Sequence, residues 1–427
     1  MFKTLRNAFS LPELRKKILY VIFIIVLYRI GAAIPIPYIN ASMMDTIKGL
    51  GNGSILQYMS ILSGTAFSRA TLFALSISPY INASIIIQLL CTAIPALENM
   101  AKEEDGRNKI TQITRYVTVG LALITAYGYY MMLRNYGLII NKSVFSAIVI
   151  IACYTAGSCL IMWLGEKITD KGIGNGISLI IMIGIVARLP HALLAEVNAR
   201  FQTASGSAIM LILELVLLFL VFMATIALVQ AVRKVPVQYA KRIVGNKQYG
   251  GVRQYIPLKM NAANVMPIIF AQALMFIPAL FSGTAFAAAF SSMTGFWYNF
   301  TLAVLVIAFT YFYTAIIINP QMMADDMKRN GGFIPGVKPG KQTVNYIDTI
   351  MTRITLPGSF FLAIVAILPA LAMKFLGIQQ AFAYFYGGTS LLIMVGVVLD
   401  TLKQIESYLL MRHYDGLMKT GRIQGRH

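Results

Sequence analysis

Residues 54–90 read SILQYMSILSGTAFSRATLFALSISPYINASIIIQLL. This stretch is long and apolar, yet it is broken. Ile55–Leu62 is an apolar run too short to cross a bilayer: ~10 helical residues rise about 15 Å, half of a ~30 Å hydrocarbon core. Ser63, Gly64 and Thr65 interrupt it, the apolar run resumes near Thr71, and Pro79 sits inside the second piece. Half-helices persist at membrane depth only where protein or water surrounds them, so a broken helix points to a pathway through the protein. A short helix lying on the membrane surface accounts for the same residues equally well at this point.

Working outward, 58% of the 427 residues are hydrophobic and only 12% are charged. Mean hydropathy is +0.70. Such a composition identifies a polytopic membrane protein. The net charge of +20 comes from 36 Lys+Arg against 16 Asp+Glu. The basic start MFKTLRNAFSLPELRKK runs into a full-length span with no small-residue cleavage site, so it is expected to be mature sequence and not a removable signal. Cys91, Cys153 and Cys159 lie in apolar spans without CxxC spacing, which suggests small packing residues rather than a metal or disulfide framework.

Ten spans are expected, near 18–34, 71–93, 113–133, 145–164, 177–189, 208–232, 263–282, 297–318, 354–373 and 387–403. The fifth is short and is expected to end at Arg188-Leu189-Pro190. Basic residues concentrate in the N-terminal tail, in the loops after spans two, four, six and eight, and in the C-terminal tail. By the positive-inside rule both termini are expected to be cytoplasmic. Prolines early in spans two and seven (Pro79, Pro267) hint at two inverted halves, residues 1–190 and 191–427.

Two of the cytoplasmic loops are long. Residues 233–259 hold seven cations, Arg233, Lys234, Lys241, Arg242, Lys247, Arg253 and Lys259, with no acid and with Tyr239, Tyr249 and Tyr255 between them. Residues 319–353 hold Lys338 and Lys341 in GGFIPGVKPGK, whose Gly and Pro mark a structured turn. Topology and anionic lipid explain a few such charges. Seven with interleaved aromatics also suit an RNA backbone or an acidic protein partner.

Catalytic patterns are missing: there is no HExxH, GxSxG or P-loop, and His191, His413 and His427 lie outside the spans. The chain is therefore not expected to be an enzyme or to need a cofactor. Charged residues are scarce inside the spans, Arg29, Glu214 and Asp400 being the clearest, and each lies toward a span end. Ion-coupled transporters usually keep such groups on their pathway, so the scarcity favours a passive pore.

PYINASIIIQLL (79–90), GIGNGISLII (172–181), VPVQYAKR (235–242), GGFIPGVKPGKQT (331–343) and YGGTSLLI (386–393) resemble motifs of the SecY family of protein-conducting channels, in order and along essentially the whole chain. The resemblance implies an all-α integral membrane protein of ten helices. Two pseudo-symmetric five-helix halves would surround an hourglass pore. It implies a channel that secretes unfolded polypeptides and inserts membrane proteins laterally into the bacterial plasma membrane. The implied pore ring is Ile77, Ile81, Ile181, Ile185, Ile269 and Ile393. Ile77/Ile81 and Ile181/Ile185 are i, i+4 pairs, so each pair can share a helix face. A thin collar of such side chains excludes water by dewetting yet yields to a passing chain.

The implied plug occupies about 54–65, with Ile55, Leu56, Tyr58, Met59, Ile61, Leu62 and Gly64. The implied lateral gate includes Asn82, Gln88 and Phe276. The implied docking residues are Arg233, Lys234, Tyr239, Lys241, Arg242, Lys247, Arg253, Lys338 and Lys341. The implied partners are SecE, SecG, the SecA motor ATPase, the ribosome and its RNA, signal peptides and nascent chains, membrane lipid, and YidC or SecDF. Lys338 departs from the family, which carries arginine in this turn; lysine keeps the charge and loses the bidentate fork. A secondary solute transporter with inverted repeats is the alternative reading, and a scaffold or insertase without a through-pore is a third.

Overall fold

The computed structural model describes residues 9, 11–39, 70–135, 137–141, 143–202, 207–239, 242–244, 247–249, 253–275 and 294–419. Helices dominate. Seven helices among the described residues are long and apolar enough to cross a membrane. The chain is a multi-pass membrane protein. It divides into two compact units, residues 1–191 with 397–427, and residues 192–396.

The first unit opens with α1 (Pro12–Gly31), then α2 (Ser78–Ala93), α3 (Pro95–Lys102), α4 (Glu104–Asn135), α5 (Val144–Lys171) and α6 (Gly176–Val186). Prolines set the limits of α2. Pro79 starts it, where a missing N–H is harmless, and Pro95 opens the next helix beyond the extended residue Ile94. The second span was expected to be helical from Thr71. Instead residues 72–77 are turns, and Ala70 and Ser76 take positive φ of 46° and 52°, a conformation that ends helical winding. This turn segment is firmly held. Its Leu72 N–H donates to Ile34 O at 3.0 Å, and Phe73 stacks on Tyr28 at 5.6 Å. Behind it, Leu75, Tyr129, Leu133, Ile150 and Tyr154 form a buried cluster joining α4 and α5.

The fifth span does not stop at Pro190. After a turn at residues 187–188 the chain continues as α7 (Leu189–Gln202), because proline is tolerated in a first helical turn. The second unit then comprises α8 (Ser207–Gln230), strands β1 (Val232–Tyr239), β2 (Arg242–Val244), β3 (Lys247–Tyr249) and β4 (Arg253–Lys259), and α9 (Met266–Leu274). It continues through α10 (Phe296–Ile317), α11 (Pro320–Arg329), β5 (Gly332–Phe333), α12 (Lys341–Leu376) and α13 (Gln380–Ala383). The last helix, α14 (Gly388–Lys419), begins in the second unit and ends in the first.

The long loops are structured, which the sequence reading missed for residues 233–259. Strands β1 and β4 pair antiparallel from Val232↔Lys259 to Gln238↔Arg253, and β5 joins the other edge of β1 through Gln238↔Phe333 and Tyr239↔Gly332. Val235 and Val237, two apart on β1, pack with Leu258, Met327, Ile334 and Ile347 into a small core. One sheet therefore links both loops.

Candidate functional site

Four of the six ring isoleucines belong to the first unit. Ile77 is the N-cap of α2 and is buried, and its carbonyl accepts from the Ile81 N–H at 3.1 Å. The two are thus one turn apart, as their spacing predicts, although Ile77 precedes the helix proper. Ile181 and Ile185 both lie on α6 and both are buried. In the second unit, half-buried Ile269 lies in α9 and buried Ile393 in α14.

The GIGNG turn delivers α6 in a fixed pose. Asn175 caps the helix, its side chain accepting from the Ser178 N–H at 3.1 Å. The Gly176 N–H donates to Thr169 Oγ1 at 2.9 Å. A Cβ on Gly176 would stand 2.0 Å from the Gly165 carbonyl oxygen, so only glycine allows α5 and α6 this close.

The plug residues Ile55, Leu56, Tyr58, Met59, Ile61, Leu62 and Gly64 lie outside the described residues, as do Phe276 and Lys241. Asn82 and Gln88 are exposed on α2, and Gln88 Nε2 donates to Ser84 Oγ one turn back at 3.4 Å.

Among the docking candidates, Arg233 and Lys234 are exposed on β1, and Tyr239 is half-buried at its end, opposite Gly332. Arg242, Lys247 and Arg253 fall in β2, β3 and β4. Lys338 and Lys341 are exposed in the turn that opens α12. That turn is shaped by Gly336 and Gly340 at φ of 85° and 103°, and Thr343 Oγ1 closes it by donating to the Lys338 carbonyl at 3.0 Å. A groove of 1030 Å³ runs between the two loops, lined by Arg233, Val337, Tyr346 and Arg353 among others.

Sequence reading also missed a buried charge cluster in the second unit. Arg200 bridges Glu196, one turn back at 3.1 Å, and Glu214 of α8, and it donates to the Leu376 carbonyl at 2.6 Å. Glu196 Oε2 accepts the Gln379 N–H at 2.8 Å, and Tyr386 donates to the Glu214 carbonyl at 2.7 Å. Glu214 was visible as an ionisable group in an apolar span. Its ion-pair partner Arg200 was not, because it sits on α7, where no helix was expected.

Comparison with known proteins bears on the family and the fold. The family profile described as SecY matches residues 71–402. The protein translocase subunit SecY of Streptomyces coelicolor is 41% identical over 451 residues, covering 98% of this chain and 100% of the relative. The subunit of the same name from Halalkalibacterium halodurans is 43% identical over 438 residues, with the same coverage of 98% and 100%. Among solved structures, a protein-conducting channel superposes with a TM-score of 0.63 at 19% identity, covering 92% of this chain and 91% of the other. Sec61 of the canine ribosome–channel complex superposes with a TM-score of 0.60 at 18% identity and the same coverage, 92% and 91%.

Proposed function

This chain belongs to the SecY family, and from that premise we propose how its residues serve as the protein-conducting channel subunit of a translocase. The chain passes unfolded polypeptides across a bacterial plasma membrane and releases apolar segments sideways into lipid. Both termini face the cytoplasm, as the loop charges indicate. The observation that carries the reading is the family match over residues 71–402, which contains every ring isoleucine and both basic loops.

Ile77, Ile81, Ile181, Ile185, Ile269 and Ile393 act as the seal. Aliphatic side chains offer water no hydrogen bonds, so a narrow neck lined by them stays dry until a chain displaces them. The same lack of polar groups leaves the neck indifferent to peptide sequence. The segment at 54–65 serves as a second barrier. Asn82, Gln88 and Phe276 line the lateral gate, and interhelical hydrogen bonds of about 0.6 kcal/mol each are weak enough for an apolar signal segment to replace.

The two loops, residues 233–259 and 319–353, present the docking cations to a ribosome or to the SecA motor. SecE and SecG complete the assembly, and YidC or SecDF act beside it. The work comes from the motor's ATP hydrolysis, from translation or from the membrane potential. Reconstitution with SecE, SecA and a precursor, scored by protease protection of the precursor inside vesicles, tests this reading. Absence of ATP-dependent protection overturns it.

A further inference from the structure

Arg29, in the first unit, is a charge that the proposed function leaves without a role. Its position is unusual. Lys17 stands near the start of α1, half-buried and donating to Tyr408 Oη at 2.8 Å. Arg29 lies twelve residues further on, in the last turn of α1. An ionisable group in so apolar a helix is retained for a partner or a task.

Its partner is a backbone carbonyl of α6. Arg29 Nη2 donates to the Ile183 carbonyl at 2.6 Å. Ile183 lies midway between the ring positions Ile181 and Ile185 on α6. Its carbonyl is also the acceptor for the Ala187 N–H at 3.1 Å, in the last turn before the chain bends at 187–188. Carbonyls at a helix C-terminus carry partial negative charge, and a cation there both fills a vacant lone pair and opposes the dipole. The residue before it, Tyr28, is buried and stacks on Phe73 with the rings 5.6 Å apart and 8° from parallel. Phe73 lies four residues before Ile77. The last turn of α1 therefore touches both segments that carry ring residues in this unit: Tyr28 meets the turn leading to Ile77 and Ile81, and Arg29 meets the helix bearing Ile181 and Ile185.

We propose that Arg29 is a positioning residue of the pore seal, holding the end of α6 at the height and rotation that put Ile181 and Ile185 into the collar. The proposal rests on the ring reading above. It assigns to the guanidinium a role apart from folding, since without it the Ile183 carbonyl keeps its bond from Ala187 and α6 keeps its own hydrogen bonds. Loss of Arg29 then frees the helix end without unfolding it.

Single-channel conductance of the resting protein in planar bilayers, with its SecE partner present, tests this. Counting current per channel makes the measurement independent of yield. Arg29→Met is expected to raise resting ion leak several-fold. In cells, it is expected to increase export of a precursor with a defective signal; a merely misfolded channel lowers all export, so the sign separates the two roles. Arg29→Lys, which keeps a cation able to donate to a carbonyl, is expected to stay near wild type. Ile185→Asn is the control for the ring itself. If Ile185→Asn leaks while Arg29→Met is as tight as wild type, the positioning role is overturned and the ring stands. If Arg29→Lys leaks as much as Arg29→Met, the effect is a packing defect and the proposal falls. If Ile185→Asn is itself tight, the ring reading fails and takes the proposal with it.

Discussion

The Gly174 N–H donates to Gln404 Oε1 at 2.8 Å, across 230 positions of sequence. Gly174 sits in the GIGNG turn at φ of 86°, and a Cβ there would stand 3.1 Å from Thr401 Oγ1. Nearby, Ile405 packs with Leu14 and Ile173 in a small buried cluster. The end of α14 is thus built into the first unit, while its beginning, with Ile393, belongs to the second. One helix, α14, carries Ile393 near its start and at its end fastens the turn that opens α6.

Removing that fastening should be measurable. Gln404→Leu leaves a half-buried N–H without its acceptor, a loss of about 1–3 kcal/mol. Gly174→Ala adds backbone strain at positive φ of about 1 kcal/mol or more. Both variants should lower the thermal midpoint of the detergent-solubilised protein, and Gln404→Glu, which keeps an acceptor, should lower it less. Equal midpoints for the leucine and glutamate forms would show that the bond contributes nothing.

The buried cluster of Arg200 gives a larger expected effect. Glu196 and Glu214 are almost fully buried, at 1% and 0% exposure, and the guanidinium between them is the countercharge each is bonded to. Arg200→Met removes that countercharge, leaving Glu196 only its bond from the Gln379 N–H, and breaking a buried ion pair from one side typically destabilises by about 3–5 kcal/mol. Adding Glu196→Gln and Glu214→Gln to that variant should recover much of the loss, because neutral amides are cheaper to bury than charges. Thermal unfolding of the single and triple variants decides this. A single variant as stable as wild type refutes the account.

How much of this was legible beforehand depends on the range of the interactions. The span centres and the proline-set limits of α2 follow from local pattern, since Pro79 and Pro95 act on their own neighbours. The span ends do not, because α4, α5 and α12 continue past the apolar window; α12 has 36 residues. The β1 strand had a local signal, Val235 and Val237 at period two, but the cations around it suggested a loop. The start of α2 was misplaced because positive φ at Ser76 is a tertiary choice, fixed by Phe73 packing on Tyr28. The pairs Arg200–Glu214, Arg29–Ile183 and Gly174–Gln404 join distant residues, and no pattern in a single sequence marks them.

The seven cations of residues 233–259 predict a salt-sensitive contact. Reversing Lys241 and Arg242 to glutamate should weaken binding of ribosomes or SecA, and raising salt should weaken wild-type binding, since exposed charges are screened beyond about 10 Å at 0.1 M salt. Sedimentation of channel-containing vesicles with ribosomes measures the first and a SecA binding titration the second. Affinities unmoved by either change would remove these loops from the docking surface.

Lys338 has a sharper test because its turn is pre-shaped. Gly336, Gly340 and the Thr343 hydroxyl fix the backbone, leaving the side chain exposed. A substitution there alters charge and donor pattern with little change in fold. Lys338→Arg should preserve or strengthen SecA-driven transport by restoring a forked donor, and Lys338→Glu should reduce it. Equal transport by the lysine and glutamate forms would mean the charge is unused.

The proposed seal has two parts, ring and plug, with separable contributions. The ring is thin: Ile77 and Ile81, one turn apart, are separated by a rise of only ~6 Å. A dry neck that short conducts ions once a polar side chain holds water in it. Ile81→Asn with Ile269→Asn should therefore raise the resting leak and ease transport of precursors with weak signals. Residues 55–62 are the proposed second barrier. The turn that follows at 72–77 is a firm base, since Leu72 is bonded to Ile34 and Phe73 stacks on Tyr28. Deleting 55–62 should leave a folded channel, because the base is held by contacts that do not involve the deleted residues, yet one that leaks small ions while idle. The two lesions act on successive barriers, so the combined variant should conduct more than either alone. Planar-bilayer conductance of the resting channel is the measurement. A ring variant and a deletion variant both as tight as wild type would refute the pore assignment of these residues, whereas a leak in one alone would locate the resting seal in that part.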